Sequence, residues 1–305
     1  MRILVTGGTG FVGSHIVKGL LEDNHDVIVL KRSFSNNFRI NSILNKVVSY
    51  DIDKISINNV FANECVDVVI HAATSYGSNE PLSAQIESNV VFPIKLLENA
   101  IDHKIQAFIN TDTFFNKPAH QKYEYLSSYS KTKRYFLELS DLFSGNGDTK
   151  LINARLEHVY GPNDNPNKFV TNLITQLLNN KPFLELTLGE QKRDFISIDD
   201  VTSAYQTIVR NLHLFAEFYT EVEIGRGFSV SLKHFIESAH SLTNSRTKLL
   251  FGALPYRESE IMDSCANTLK LKEMNWNWID GIDDGLTKII NCLNADKTYP
   301  FRGVY

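Results

Sequence analysis

Cysteine is scarce in this chain of 305 residues, which contains only Cys65, Cys265 and Cys292. Their positions form neither a CxxC motif nor the Cys/His spacing of a zinc site, so the sequence excludes a disulfide or zinc framework. We expect the three residues to be small buried hydrophobic groups in a reducing compartment. We predict no metal site.

Long apolar runs and an excess of positive charge are also missing. No run approaches the roughly 20 residues that cross a bilayer, and the N-terminus lacks the charged and apolar regions of a signal peptide. The formal net charge of −4 argues against binding to nucleic acid. We therefore expect a soluble cytoplasmic protein with no nucleic-acid or membrane partner.

The first half of the chain alternates short β-branched runs with helical patterns. Near-continuous apolar strands separated by helices are typical of a parallel sheet that is covered on both faces. The predicted fold is therefore α/β, a Rossmann-type doubly wound parallel sheet with a smaller α/β substrate-binding lobe. Strands are predicted at Ile3–Thr6, Val27–Leu30, Val47–Tyr50, Val66–His71, Ala107–Thr111 and Leu151–Leu156. Helices are predicted from the end of the first loop to about Glu22, around Pro81–His103 and at Tyr125–Phe143.

The pattern changes after residue 160, where a loop rich in Asn, Pro and Asp precedes a helix near Phe169–Asn180 and shorter elements. We predict an NADP-binding Rossmann domain and a substrate-binding lobe that is interleaved with it. The Rossmann domain comprises residues 1–160, with residues 195–225 returning to it. The lobe comprises residues 161–194 and 226–294, and residues 295–305 form a tail or an interface arm.

A glycine-rich loop, Thr6 to Gly13, joins the first strand to the first helix. Gly7 permits the tight turn, Gly10 lets backbone amides approach a pyrophosphate at the helix N-terminus, and Gly13 lets the helix pack closely on the strand. The alternative is a glycine-rich turn that binds nothing. Because the loop follows a strand and precedes an amphipathic helix, we favour dinucleotide binding.

Lys31 and Arg32 end the second strand, where an NAD site usually places an acid that binds the ribose hydroxyls. Two cations at this position suit a 2′-phosphate and favour NADP. A solvated pair of charges is the alternative. Asp51, just after the third strand, can accept a hydrogen bond from the adenine amino group.

Tyr129 and Lys133 lie four residues apart, on one face of the helix after the fifth strand. The ordinary pKa of a tyrosine is about 10, and a neighbouring ammonium favours the phenolate. Such a tyrosine can deliver a proton to a carbonyl oxygen while hydride arrives from a nicotinamide. Thr111 would hydrogen-bond the same oxygen. Two other tyrosines are less satisfactory candidates for the proton donor: Tyr123, which would pair with the start of the helix, and Tyr125, which has no lysine four residues on.

Several motifs occur together in a fixed order. They are the loop TGGTGFVG, His71-Ala72-Ala73, Thr111, Tyr129-x-x-x-Lys133, Arg155-Leu156-x-x-x-Tyr160-Gly161-Pro162, Arg193-Asp194-Phe195-Ile196 and Asp199-Asp200-Val201. In order and spacing they resemble the extended short-chain dehydrogenase/reductase family that acts on nucleotide-diphosphate sugars, from Met1 to about Leu293. More narrowly, Asn110–Phe114, Arg155–Tyr160 and Leu254–Met262 are similar to CDP-abequose and CDP-paratose synthases, which reduce the 4-keto group of a CDP-dideoxyhexose with NADPH.

The resemblance implies the residues of three sites. The implied catalytic residues are Thr111, Tyr129 and Lys133. The implied cofactor-binding residues are Gly7, Thr9, Gly10, Phe11, Val12, Gly13, Lys31, Arg32, Asp51, Ile52, His71, Ala72, Ala73, Asn89, Tyr129 and Lys133. The implied substrate-binding residues are Thr74, Ser75, Tyr76, Asp112, Thr113, His158, Lys168, Arg193 and Arg257.

Some of the implied substrate residues have a second interpretation. Arg193 and Arg257 match positions that contact the diphosphate, or they form structural ion pairs with adjacent acids. Asp112 faces the sugar or caps the following turn, and Lys168 reaches a phosphate or base or is solvated. In the family an asparagine often binds a phosphate at the position of His158. The histidine therefore alters that contact here.

Departures from the family narrow the implied reaction. Dehydratases of the family follow the catalytic threonine with Asp-Glu, whereas Thr113 stands here in place of the glutamate base. Epimerase-reductases use a cysteine beside the fifth strand, and none of the three cysteines lies there. The resemblance therefore implies NADPH-dependent reduction of a nucleotide-diphosphate 4-keto-6-deoxy or 3,6-dideoxy sugar, in deoxysugar biosynthesis for surface polysaccharide such as the O-antigen of lipopolysaccharide.

Two other functions stay open, and so do the nucleotide base of the substrate and the oligomeric state of the protein. One function is a 4-epimerase with tightly bound NAD, and the other is a non-catalytic dinucleotide-binding protein. CDP is the favoured base, with dTDP and GDP as alternatives. Family members commonly dimerise through the two helices that here cover about Pro81–His103 and Tyr125–Phe143, so a homodimer is expected.

Overall fold

The computed structural model describes residues 1–76, 80–120 and 122–295, and the predicted tail lies outside them apart from Ala295. The strands are β1 Arg2–Thr6, β2 Asp26–Lys31, β3 Val48–Asp51, β4 Val68–His71, β5 Ala107–Thr113, β6 Lys150–Leu156, β7 His158–Tyr160, β8 Phe183–Leu186, β9 Lys192–Arg193, β10 Phe195–Ser197, β11 Tyr219–Ile224, β12 Val230–Ser231, β13 Lys248–Phe251 and β14 Asp263–Ser264. The helices are α1 Phe11–Glu22, α2 Ile57–Asn63, α3 Leu82–Ile86, α4 Phe92–Asp102, α5 Ser127–Ser140, α6 Phe169–Leu178, α7 Ile198–Arg210, α8 Leu232–Leu242, α9 Leu269–Glu273 and α10 Ile282–Ala295.

The chain divides into two compact units, of which the first comprises residues 1–156, 202–223 and 270–276. Its sheet has seven strands in the order β3-β2-β1-β4-β5-β6-β11. The strands are parallel; β1, for example, pairs Ile3 with Val27 on β2 and with Val68 on β4. The strand order reverses at β1, and in such sheets ligands bind outside the carboxyl ends of the strands at the reversal. The predicted Rossmann-type fold is confirmed.

Burial on both faces explains why the strands of this sheet read as apolar runs. Ile3, Leu4 and Val5 of β1 are completely buried. Helices of the βαβ crossovers cover parallel sheets in this way, which removes the polar alternation of a half-exposed strand. One core cluster joins β1, β2, β4, β5 and β6 to α2, α4 and α5.

The second unit comprises residues 157–201, 224–269 and the described residues from 277 onward. Its strands form two parallel pairs, β7 with β10 and β8 with β13, and a three-stranded sheet in the order β12-β9-β14. An aromatic cluster fills its core, where the rings of Phe195 and Phe235 stack 3.8 Å apart and Tyr160 lies edge-on to Phe235. Gly285 of α10 rests on the Tyr160 ring, because a Cβ there would lie 2.5 Å from the phenolic oxygen.

Several predicted boundaries shift in the structure. The predicted helix around Pro81–His103 consists of α3, a π-helical turn at Glu87–Val91 and α4 in direct succession. The predicted fifth strand continues to Thr113, and α5 begins at Ser127 because Leu126 adopts a left-handed conformation with φ of 58°. The return of residues 270–276 to the first unit has no counterpart in the predicted boundaries.

The prediction of buried cysteines is wrong. Cys65 and Cys265 are exposed and Cys292 is half-buried, and all three are free thiols. Cys65 lies just beyond the end of α2 and Cys265 just beyond β14, in connections that run over the surface. None of the helices in the described part of the chain combines the length and apolar character needed to span a membrane.

Candidate functional site

The glycine loop forms a backbone cradle between β1 and α1. Gly7 has a φ of +68°, and its α-carbon lies so close to the segment after β4 that a Cβ would be 2.5 Å from the nitrogen of Ala73. A Cβ on Gly13 would lie 2.2 Å from the carbonyl oxygen of Gly7. Gly10 caps α1, so Phe11 and Val12 present the first amides of the helix, which have no acceptor within it. Backbone amides at a helix N-terminus are groups that bind phosphates. The pyrophosphate contacts of Gly7, Gly10 and Gly13 stay a prediction.

The segment His71-Ala72-Ala73 is attached to the end of β1. The Thr6 hydroxyl lies 2.8 Å from Nδ1 of His71 and accepts the amide proton of Ala73 at 3.2 Å. Burial, aided by the charge of Lys133, lowers the pKa of His71 to about 3, so the imidazole is neutral. His71 thus positions the backbone beside the glycine loop, and Ala72 and Ala73 are the members of the segment that face the cradle.

Of the two cations predicted to bind a phosphate at the end of β2, one already has an acidic partner within the protein. Lys31 forms an ion pair with Asp51, which lowers the pKa of that carboxyl. Arg32 is exposed and lies over the ring of Phe34 at 4.9 Å. Ile52, also a predicted cofactor residue, donates its amide to the carbonyl of Lys31 at 2.8 Å. Of the two predicted cations, Arg32 is therefore the one whose guanidinium is presented at the surface.

Arg39 is a second cation beside the cradle, and it is not among the residues predicted from the sequence. Its guanidinium donates to the carbonyl of Thr9 at 3.3 Å and lies over the ring of Phe38 at 4.4 Å. Thr9 belongs to the glycine loop, so the contact brings a positive charge to the place where a dinucleotide is expected. No motif marks this residue, since it lies in an irregular segment after β2.

Asn89 acts as a scaffold for the loop after β4. Its Oδ1 accepts from the amide of Ser75 at 2.8 Å and the hydroxyl of Thr74 at 3.1 Å. Its Nδ2 donates to the carbonyl of Ser75 and the hydroxyl of Thr132, both at 3.0 Å. These four bonds use every donor and acceptor of a side-chain amide. The predicted cofactor contact of Asn89 would require one of them to open, whereas its observed role is to hold Thr74 and Ser75 against α5.

Tyr129 and Lys133 are brought together on α5, as predicted. Both side chains are buried, and Nζ of Lys133 lies 6.0 Å from the centre of the Tyr129 ring. Tyr76 packs edge-on against Tyr129 with a centroid distance of 4.7 Å, which places this predicted substrate residue beside the predicted acid.

The electrostatics of Tyr129 differ from the sequence-based expectation. Burial raises the pKa of Tyr129, with Tyr76 and Asp112 acting in the same direction, and a hydrogen bond from Thr113 acts against them. Burial also lowers the pKa of Lys133. The residue that favours the phenolate here is thus Thr113, and the phenol keeps its proton at neutral pH.

Thr111 and Thr113 share one face of β5, since residues two apart along a strand point the same way. Oγ1 of Thr111 lies 2.7 Å from the hydroxyl of Tyr205, a fully buried residue of α7. Tyr205 is absent from the predicted site, because in α7 it reads as part of the apolar face.

Asp112 points to the opposite face and is the hub of a buried polar network. Its Oδ1 accepts from Asn116 at 2.7 Å, and its Oδ2 accepts from Asn153 at 3.1 Å and from Nε of Arg155 at 3.3 Å. Arg155 in turn pairs with Glu221 of β11. These bonds tie Asp112 to the following turn and to β6, and through Arg155 to β11. The contact of Asp112 with the sugar stays a prediction.

The remaining predicted substrate residues belong to the second unit. Arg193 is buried and pairs with Glu260 at 2.6 Å rather than with its neighbour Asp194. Arg257 is exposed, and His158 lies half-buried with its ring edge-on to Phe195. Lys168 precedes α6, and burial lowers its pKa to about 8.

Comparison with known proteins agrees with this geometry. Residues 3–219 match the model of the NAD dependent epimerase/dehydratase family. The chain belongs to that family. It is therefore an enzyme of the extended short-chain dehydrogenase/reductase type, as the motifs predict.

Two curated relatives within the family are CDP-abequose synthases. That of Salmonella muenchen is 38% identical over 292 residues, which cover 95% of this chain and 97% of the relative. That of Salmonella typhimurium is 35% identical over 295 residues, 94% of this chain and 98% of the relative. The predicted resemblance to these synthases is confirmed.

Solved structures agree on the fold. The UDP-glucose 4-epimerase of Thermotoga maritima, solved with UDP-glucose, superposes with a TM-score of 0.82 at 22% identity and covers 97% of this chain and 99% of its own. The UDP-glucose 4-epimerase of Stenotrophomonas maltophila, solved with bound NAD, has a TM-score of 0.83 at 20% identity and covers 97% of this chain and 98% of its own. Both likenesses concern the fold alone.

Proposed function

We propose that this enzyme reduces the 4-keto group of a CDP-linked 4-keto-deoxyhexose with NADPH, in the synthesis of a deoxysugar for surface polysaccharide. The observation that carries the proposal is the identity of 38% to a CDP-abequose synthase over 95% of the chain. The site supports it, because Tyr129 and Lys133 lie together on α5 and Thr113 stands where a dehydratase needs a carboxylate. dTDP and GDP are the alternative bases.

The chain's own residues account for the proton and for the orientation of the carbonyl. NADPH, held by the glycine loop, would supply the hydride for C4 of the sugar and would itself become NADP⁺. Tyr129, whose buried phenol is protonated at neutral pH, donates its proton to the carbonyl oxygen, so that a C4 hydroxyl is formed. Thr111 donates a hydrogen bond to the same oxygen and holds the carbonyl in line. The phenolate left behind is stabilised by the hydrogen bond from Thr113.

The decisive experiment measures oxidation of NADPH and NADH, from the absorbance of the nicotinamide, with CDP-, dTDP-, GDP- and UDP-linked 4-keto sugars. We expect turnover with NADPH and a CDP sugar, and NMR of the product identifies the C4 epimer. Tyr129→Phe should lower kcat by roughly 10²- to 10⁴-fold while NADPH still binds. A wild-type enzyme that isomerises a nucleotide sugar with protein-bound NAD and no added cofactor would instead be a 4-epimerase. Tight NADPH binding without turnover of any sugar would indicate a non-catalytic dinucleotide-binding protein.

The preference for NADPH is part of the proposal and is assigned to Arg32 and Arg39. Lys31 is already neutralised by Asp51, whereas Arg32 is exposed and Arg39 contacts the glycine loop. A guanidinium donates several hydrogen bonds to a phosphate in a fixed geometry. These two arginines are therefore the groups best suited to a 2′-phosphate.

Removal of either arginine should weaken NADPH binding selectively. We expect Arg32→Ala and Arg39→Ala each to raise KM for NADPH roughly tenfold, since a charge-assisted hydrogen bond contributes about 1.5–3 kcal/mol. KM for NADH should change less than about twofold. Arg246→Ala removes an exposed arginine of the second unit and serves as the control. Equal losses for NADH and NADPH would show that the residues act on the loop and not on the phosphate.

We also propose that the enzyme is a homodimer that pairs α3, the following π turn and α4 with α5. The outer faces of these elements carry large apolar side chains that the first unit leaves exposed. They are Leu82, Ile86, Tyr135, Leu139 and, in the 3-10 turn after α5, Leu142. A second copy of the same surface would cover them.

A further inference from the structure

The hydroxyl of Thr111 is hydrogen-bonded by a tyrosine that lies entirely inside the first unit. The Thr111 Oγ1 and the Tyr205 hydroxyl are 2.7 Å apart, although the two residues are 94 positions apart in the chain. Tyr205 is 0% exposed, whereas Thr111 at the end of β5 is only half-buried. From the distance alone, either oxygen can be the donor.

Burial decides which of the two hydroxyls donates. Each hydroxyl has one proton, and the Tyr205 proton has Thr111 Oγ1 as the acceptor that the structure provides. If Thr111 donated instead, the Tyr205 proton would be buried without an acceptor, an arrangement that folded proteins avoid. Burial also raises the pKa of Tyr205, so this phenol stays protonated and able to donate.

The direction of this bond determines what Thr111 can do. With one of its two lone pairs engaged by Tyr205, the Thr111 hydroxyl does not spend its proton on that bond and keeps it for a partner on its half-exposed side. A threonine hydroxyl without such a constraint rotates and serves equally as donor or acceptor. A carbonyl oxygen that is about to be reduced needs a donor, and an acceptor pointed at it would oppose the developing negative charge.

We propose that Tyr205 is a positioning residue that donates to Thr111 and thereby makes Thr111 a hydrogen-bond donor to the carbonyl oxygen of the substrate. The proposal rests on the proposed 4-keto reduction. Tyr205 does not touch the substrate itself, so its effect acts on the chemical step and not on the binding of the nucleotide sugar.

Tyr205→Phe tests this role, since it keeps the ring in the core and removes only the hydroxyl. We expect kcat with the CDP-4-keto sugar to fall roughly five- to tenfold, the equivalent of one oriented hydrogen bond. KM for the sugar and Kd for NADPH should stay within about twofold of wild type. Tyr160→Phe removes an equally buried phenol of the second unit, which bonds the carbonyl of Ile282, and should leave kcat unchanged.

A double-mutant cycle isolates the path through Thr111. Thr111→Val should lower kcat on its own, and adding Tyr205→Phe to it should cost nothing more. In a Thr111→Ser background, which keeps the hydroxyl, Tyr205→Phe should cost as much as in wild type. Replacement of Tyr205 by 4-aminophenylalanine retains a donor on the same ring and should restore kcat to within about twofold of wild type, which also tests the role if Tyr205→Phe does not fold.

The outcomes separate this inference from the proposed function. A wild-type enzyme that reduces the sugar, with a Tyr205→Phe variant of equal kcat or with additive losses in the Thr111→Val background, would overturn the inference alone. A 4-aminophenylalanine variant with a kcat as low as that of Tyr205→Phe would also overturn the inference. A wild-type enzyme that reduces no 4-keto sugar would overturn the proposed function and the inference together.

Discussion

Burial, Tyr76 and Asp112 raise the pKa of Tyr129, and the Thr113 hydrogen bond lowers it. This opposition leads to a prediction about the reverse reaction. Oxidation of the C4 hydroxyl requires the phenolate, which becomes available as pH rises toward the pKa of Tyr129. Thr113 lowers that pKa, so Thr113→Val should move the onset of oxidation to higher pH, whereas Thr113→Ser should keep it. The measurement is the pH profile of kcat for oxidation by NADP⁺.

The forward reduction provides the control for this prediction. It needs the protonated phenol, which is the form present throughout the neutral range, so its pH profile should stay flat in the valine variant. If Thr113→Val leaves the oxidation profile unshifted, the hydroxyl of Thr113 does not govern the ionisation of Tyr129.

Lys168 supplies a second residue with a testable pH dependence. Burial lowers its pKa to about 8, with Asp164 acting in the opposite direction, so the ammonium loses its charge just above neutrality. If Lys168 binds a substrate phosphate, the affinity should be greatest below this pKa and should fall as pH rises through it. We expect KM for the nucleotide sugar to rise between about pH 7 and about pH 9, by up to one log unit per pH unit above the pKa.

Two variants distinguish the charge of Lys168 from its shape. Lys168→Arg stays charged throughout this range and should abolish the rise in KM, whereas Lys168→Met should give a high KM at every pH. A wild-type KM that is constant from about pH 7 to about pH 9 would show that Lys168 is a structural residue and not a phosphate ligand.

Elements of the first unit are positioned by backbone contacts that leave no room for side chains. Gly13 of α1 touches the carbonyl of Gly7, and an added Cβ would lie 2.2 Å from that oxygen. Gly13→Ala should therefore push α1 away from the loop, lower the free energy of unfolding by about 1–3 kcal/mol and weaken NADPH binding more than tenfold. Thermal unfolding and fluorescence titration with NADPH measure the two effects.

Gly281→Ala is the matched control for this change. Gly281 precedes α10, and a Cβ there would meet only the side chain of Asp284 within 4 Å, which can move. We expect a small change in the unfolding temperature and none in NADPH binding. Comparable effects of the two alanines would mean that the close approach of α1 to the loop is not what binds the cofactor.

The whole molecule is expected to assemble through its exposed apolar surface. Leu142 is 76% exposed and follows α5, where a leucine in contact with solvent contributes nothing to the folded monomer. Leu142→Lys should therefore convert the dimer into a monomer, as determined by analytical ultracentrifugation, without lowering the unfolding temperature of the isolated subunit. Leu269→Lys changes a comparably exposed leucine, 65% exposed at the start of α9, and should leave the dimer intact. A wild-type protein that sediments as a monomer at every concentration would contradict the proposed assembly.

The positions of the strands along the chain and the glycine loop could be predicted because their signals are local. A buried parallel strand needs four to six consecutive apolar residues, the loop needs glycines at fixed spacing, and Tyr129 and Lys133 need only a separation of four in a helix. Each of these patterns lies within one segment of the chain. The same locality explains why the predicted bounds of β1 and α1 differ so little from the observed ones.

The partners of individual side chains depend on segments that are far apart, and only the tertiary structure decided them. Lys31 meets Asp51 because β2 and β3 are neighbours, and for this reason we propose Arg32 and Arg39 as the cations for a 2′-phosphate. Tyr205 reads as a core residue, since Val201, Tyr205 and Ile208 follow the spacing of a buried helix face, yet its hydroxyl meets Thr111. The sequence by itself determined the fold, the glycine loop and the Tyr–Lys pair, because their signals lie within one segment. The structure decided how individual side chains are paired, because hydrogen bonds and ion pairs form between segments that are far apart in the chain.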